Sequence, residues 1–160
     1  VARLRDRRPR ESRAALARAA ASPPAAHRPE TADDVDSALG AARAMSERHG
    51  FVAAVSGPVD AIVDGQRMTR ITGGSPMLTR VTGGGCALGA LIAAFIAAGR
   101  EQDVDARAAT AACHEVYSAA AQRAAARSTG PGSFRPAFLD ALYDLGAEDL
   151  EAVAVSEEQA

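Results

Sequence analysis

The run Thr82-Gly83-Gly84-Gly85-Cys86-Ala87-Leu88-Gly89-Ala90-Leu91-Ile92-Ala93-Ala94-Phe95 constrains this chain more than any other stretch. Three consecutive glycines lead directly into an apolar, alanine-rich segment with helical spacing. The pattern predicts a turn that opens onto a helix N-terminus, with one thiol at the junction. The first backbone N–H groups of a helix lack partners within it and favour negative charge. Glycines let an anion approach those groups with no Cβ in the way. Cys86 sits in the same field, which favours anions. The physical expectation is an anion hole over residues 83–86 beside a polarisable thiol, an arrangement suited to phosphoryl transfer. The competing reading of Cys86 is a small buried hydrophobe at a helix start.

The chain has 160 residues, enough for one domain with a real core. Aromatic residues make up only 4%, so that core must be built from Ala, Val, Leu and Ile. The apolar run over 87–98 is shorter than the roughly 18 residues that a membrane span needs, so no membrane role is expected. The two cysteines lie in different contexts, which predicts free thiols and a cytoplasmic setting. Their spacing to the histidines does not suit zinc, and no metal ligand is assigned. All 18 basic residues are Arg.

The charge of -2 is unevenly spread. Residues 1–30 hold eight Arg against Asp6, Glu11 and Glu30, with Pro9, Pro23, Pro24 and Pro29 and almost no large apolar residues. Such a stretch buries too little to offset its ordering entropy, so it reads as a basic, disordered leader. A nucleic-acid-binding arm is the alternative, but no aromatic residues accompany the arginines as a stacking platform would require. No nucleic-acid partner is expected. From Thr31 the pattern becomes globular. A helix is expected over 31–49, with Val35, Leu39, Ala42 and Met45 on one face and Gly50 as its stop. Residues 51–55 read as a buried strand and 59–63 as the next, with a turn signal at Asp64-Gly65 and a return strand over 66–72. Helices follow over 86–98, 104–127 and 138–145, and residues 151–160 read as an acidic tail. One helix, a strand, a hairpin and stacked helices suggest an α/β layered sandwich. Cys113 reads as a core thiol, and His114 as half-exposed. His49 reads as a charge partner for a helix C-terminus. Asp60 and Asp64 read as loop or hairpin residues more than metal ligands.

Four blocks carry a resemblance: Val55-Ser56-Gly57-Pro58-Val59-Asp60, Thr79-Arg80-Val81-Thr82-Gly83-Gly84-Gly85-Cys86-Ala87-Leu88, Ala112-Cys113-His114, and Arg127-Ser128-Thr129-Gly130-Pro131-Gly132-Ser133-Phe134. In their order and gaps they resemble the hydroxyethylthiazole kinases, thiamine-salvage enzymes of the ribokinase-like superfamily. The resemblance covers about 31–145. It implies the C-terminal portion only of a ribokinase-like, three-layer α/β sandwich spanning 31–150. It further implies a kinase that uses ATP and Mg2+ to phosphorylate the alcohol of 4-methyl-5-(2-hydroxyethyl)thiazole, and a homotrimer. By position, Ser56 matches a hydroxyl residue that contacts ATP. Gly83 matches a glycine that contacts the thiazole, and Gly83, Gly84, Gly85 and Cys86 match the anion hole. Cys86 stands where most ribokinase relatives place an aspartate base.

Two departures stand out. The family pattern usually reads Gly-Thr-Gly-Cys, and Gly84 replaces the Thr. Residues 1–30 resemble nothing of the family's N-terminal part, and read as an unrelated frame of a GC-rich gene with family sequence beginning near 30–33. A catalytically impaired remnant is therefore a rival expectation. A ribokinase-like kinase with another small-molecule substrate is a second, and a basic-arm interaction protein a third.

Overall fold

The structure, a computed structural model, describes residues 32–159, so the expected leader lies outside the described residues. Helix α1 spans Ala32–His49, strands β1, β2 and β3 span Ala53–Val55, Val59–Asp64 and Arg67–Thr72, and helices α2, α3 and α4 span Gly84–Glu101, Ala106–Ala126 and Pro131–Tyr143. Strand β4, Ala154–Gln159, closes the order. The four strands form one antiparallel sheet in the order β1-β2-β3-β4.

Strand alternation sorts the two faces of this sheet. Ala61 and Val63 of β2, with Met68 of β3, pack against Val35 and Ala42 of α1. Ile62 and Ile71 point the other way, onto Ala119 of α3 and onto Val153. The result is helix, sheet and helix in three layers. Beyond α3, its residues Tyr117, Ala120, Ala121 and Ala124 form a further core with Phe134, Phe138 and Ala141 of α4. The small alanine side chains let α3 approach both neighbours closely, and three aromatic rings fill what remains. Tyr117 meets Phe138 edge-on at 4.8 Å between ring centres, and Phe134 stacks on Phe138 at 5.7 Å.

Several expectations shift. The buried stripe of α1 runs through Ser46 rather than Met45, which is exposed. Ser46 donates to the Phe51 carbonyl and accepts from Gly65 N–H, both at 2.7 Å, tying the helix end to the hairpin turn. Strand β1 is only three residues long and lies at the sheet edge, half-exposed, where a buried strand was expected. The hairpin turn falls on Gly65-Gln66, since Asp64 already pairs with Arg67. Helix α4 begins seven residues before the expected 138, because Pro131 is tolerated at a first turn whose N–H needs no partner. Residues 151–160, read as an acidic tail, contain β4, which pairs along all of β3. Helix α2 is longer at both ends than its apolar run. By length and composition alone it could cross a membrane, and only 6% of it is buried.

Candidate phosphate site

The glycine turn takes the geometry its composition implies. Gly83 is the N-cap of α2 with φ 92°, a left-handed conformation that L side chains resist, and it offers no side-chain cap. Ala87 N–H donates to the Gly83 carbonyl at 2.9 Å as the first helical bond. The amides of Gly84, Gly85 and Cys86 therefore precede the helix ladder. Space beside Gly83 and Gly85 is open. Cys86 is exposed and its thiol free, which removes the buried-hydrophobe reading. The chemistry available here is capture of an oxyanion by main-chain donors, with a thiol alongside.

Ser56 lies exposed just after β1, in the bend that leads to β2. That bend is tightly built. A Cβ on Gly57 would stand 2.3 Å from Val35 Cγ2, so only glycine fits between the bend and α1. Gly57 N–H donates to Asp60 Oδ1 at 2.9 Å. Asp60 shares the face of Ile62, and that face meets α3. Its other oxygen, Oδ2, lies 2.9 Å from His114 Nδ1. A carboxylate only accepts, so the imidazole hydrogen sits on Nδ1 and donates. The half-exposed His114 expected from sequence is thus corrected: the ring is 1% exposed, because its face of α3 lies against the sheet. Asp60 lies within β2 and not in a loop, and it bridges bend and helix.

One turn further along α3, Tyr117 Oη donates to the Gly84 carbonyl at 2.6 Å. Burial, and then the neighbouring Cys113, raise the Tyr117 phenol, which keeps it a donor. Cys113 is a core thiol, pushed up to about 11 by burial. The Gly-Pro-Gly-Ser-Phe block is the start of α4: Ser133 Oγ accepts from Thr129 N–H, and Phe134 is fully buried. Asp64 pairs with Arg67. His49 ends α1 and stacks on Phe51 at 5.8 Å. Among the described residues, no group of three or more His, Cys, Asp or Glu is placed to hold a metal ion. The 83–86 amides suit a phosphate.

A family model for the hydroxyethylthiazole kinase family matches residues 26–148. The chain belongs to the hydroxyethylthiazole kinase family. A hydroxyethylthiazole kinase of Tolumonas auensis is 48% identical over 127 residues, covering 78% of this chain and 46% of the relative. One from Corynebacterium glutamicum is 46% identical over 119 residues, covering 74% and 44%. The solved structure of a hydroxyethylthiazole kinase protein from Pyrococcus horikoshii OT3 superposes with a TM-score of 0.70 at 29% identity, over 78% of this chain and 47% of that one. The fold is accordingly that of part of a ribokinase-like kinase. This chain spans somewhat under half the length of these hydroxyethylthiazole kinases. Sequence reasoning did not find the Asp60–His114 contact or the hydrogen bond from Tyr117 to Gly84. Their signals were available: Asp60 stands two residues before a core isoleucine, and His114, Tyr117, Ser118 and Ala121 have the i, i+3, i+4, i+7 spacing of one helix face.

Proposed function

We propose that this chain serves ATP-dependent phosphorylation of the hydroxyl of 4-methyl-5-(2-hydroxyethyl)thiazole, the reaction its family resemblance implies. The observation that carries this reading is the uncapped start of α2, where bare amides meet an exposed thiol. In that reaction the alcohol oxygen forms a bond to the γ-phosphorus, the bond to the β-phosphate oxygen breaks, and ADP leaves. Positioning and charge neutralisation dominate such transfers. The 83–86 amides and the α2 dipole hold the phosphoryl oxygens, and Gly83 leaves room for the thiazole. Ser56 supplies a hydroxyl toward ATP. The Cys86 thiolate accepts the proton that the alcohol gives up. Mg2+, when bound, would neutralise polyphosphate charge. The two free thiols support a reducing, cytoplasmic setting.

The test is ADP formation in a coupled assay with the thiazole alcohol, beside thermal shift with ATP. The chain is expected to be stabilised by ATP and to release ADP only when the alcohol is present. Cys86→Ala should lower kcat by roughly 10- to 100-fold, since a proton acceptor contributes about that much or more and a thiolate is a modest base. Cys86→Asp should retain turnover. Complete loss in Cys86→Asp argues against the proton-acceptor role. Stabilisation by ATP without any turnover would leave a nucleotide-binding protein in place of a kinase.

A further inference from the structure

The two segments read as the phosphate site come from distant parts of the sequence, yet both are tethered to one face of α3. Gly57 N–H reaches Asp60, and Asp60 reaches buried His114. The Gly84 carbonyl is held by Tyr117, three residues after His114 and so on the same face. Both tethers originate in the interior. His114 and Tyr117 are 1% and 5% exposed, and α3 packs against the sheet on one side and α4 on the other. The loops they hold are exposed. A rigid helix thus carries two polar groups outward to the backbone of two glycine-containing segments. The glycine turn has a left-handed glycine at its tip, and no side chain caps the helix that follows it.

We propose that His114 and Tyr117 are positioning residues, which from a single turn of α3 hold the Ser56 bend and the glycine turn in place. His114 acts through Asp60, and Tyr117 acts directly on the Gly84 carbonyl. Neither touches the reacting atoms. The proposal rests on the kinase reading of the two segments, and it adds the device that keeps them in register. A core role alone would make both residues matter only for stability. Positioning makes their polar atoms matter to the loops and to ligand affinity at unchanged stability.

The test uses the full chain, isotopically labelled, with ATP as the probe. In the absence of ATP, Asp60→Ala should speed exchange of the Gly57 amide by about fivefold, the worth of one modest hydrogen bond. Tyr117→Phe, which keeps the ring, should move the amide resonances over 83–86 and leave Gly57 unchanged. Each variant should weaken ATP binding several-fold, and the double variant should lose less than the product of the two, because both defects release the same geometry. His114→Asn keeps a donor near the place of Nδ1 and should restore Gly57 protection lost in His114→Ala, with both melting at similar temperatures. The proposal is overturned if Gly57 exchanges at the parent rate in Asp60→Ala, or if the two His114 variants behave alike at equal melting temperature. Strictly multiplicative losses in affinity would also overturn it. If His114→Ala does not fold, Asp60→Ala and Tyr117→Phe decide. Should the parent chain bind no ATP, the kinase reading fails, while the exchange and resonance arms still judge the two tethers.

Discussion

Gly83 and Gly84 are neighbours of the same type, yet they answer to different physics. Gly83 sits at φ 92°, where a Cβ strains the backbone although the space around it is empty. Gly84 is the first residue of α2, and a Cβ there would meet the Leu78 carbonyl at 3.4 Å and the Tyr117 hydroxyl at 3.7 Å, ordinary contact distances. Gly83→Ala should therefore destabilise the fold by about 1–2 kcal/mol, the cost of a non-glycine residue in the left-handed region. Gly84→Ala should stabilise it by about 0.5–1 kcal/mol, because it restricts the unfolded chain without straining the native one. Urea denaturation midpoints at equal slope check both, and equal shifts in one direction would contradict the assigned geometry. Of this turn, the N-terminal position and the exposed thiol were legible in Gly83-Gly84-Gly85-Cys86. Which of three identical residues carries the left-handed φ was not, because identical side chains leave that choice to the packing around them.

Strand β4 shows what local sequence withholds at the scale of an element. Each of its six residues is exposed, so neither face carries the period-two apolar pattern that marks a strand. Backbone pairing with β3 and a few charges hold it. Arg107 of α3, nearly buried, donates from Nη1 to Thr69 Oγ1 and to Glu157 Oε1, the latter at 2.7 Å. Arg70 bonds Glu158 at 3.1 Å. By contrast α1 and α3 were legible, since Val35, Leu39 and Ala42 recur at helical spacing and Asp105 caps α3 by accepting from Ala108 N–H. The hydrogen bond from Arg107 holds the Glu157 carboxyl below its ordinary 4.5. The unfolded chain then takes up that proton first as pH falls. The contribution is complete above about pH 5 and is lost as pH drops through the lower, folded value. The protection factors of the β4 amides, which take out the intrinsic slowing of exchange by acid, should therefore fall on acidification before those of the α3 core. Glu157→Gln should show that lower protection already at neutral pH and flatten its pH dependence. A strand that stays protected in the variant would show that the ladder alone suffices.

At the scale of the whole molecule, the order helix, strand, hairpin, helices was legible because each element carries its own stop and start signals, Gly50 and Gly65 among them. The stacking was not, since local periodicity says which residues turn inward but not which neighbour they meet. Helix α2 makes the difference plain. It is apolar nearly all round, a pattern that belongs to helices covered on every side, yet only 6% of it is buried. Among the described residues it packs chiefly against α3, and an apolar groove between them is lined by Phe95, Ala98, Val104 and Ala109. Water against that much Ala, Leu, Ile and Phe is unfavourable, and contact with further protein would relieve it. The homotrimer implied by the family resemblance would supply such contact, and the prediction is that α2 meets a second copy of the chain. Sedimentation should accordingly show an oligomer whose population grows with concentration and with sulfate, which strengthens apolar burial. Ala94→Glu and Ala98→Glu place a charge on exposed positions of α2 in that groove. Each should shift the protein toward monomer while leaving its circular dichroism unchanged. A monomer at every concentration in the parent chain would remove α2 as the interface, and an oligomer indifferent to both substitutions would move the interface elsewhere.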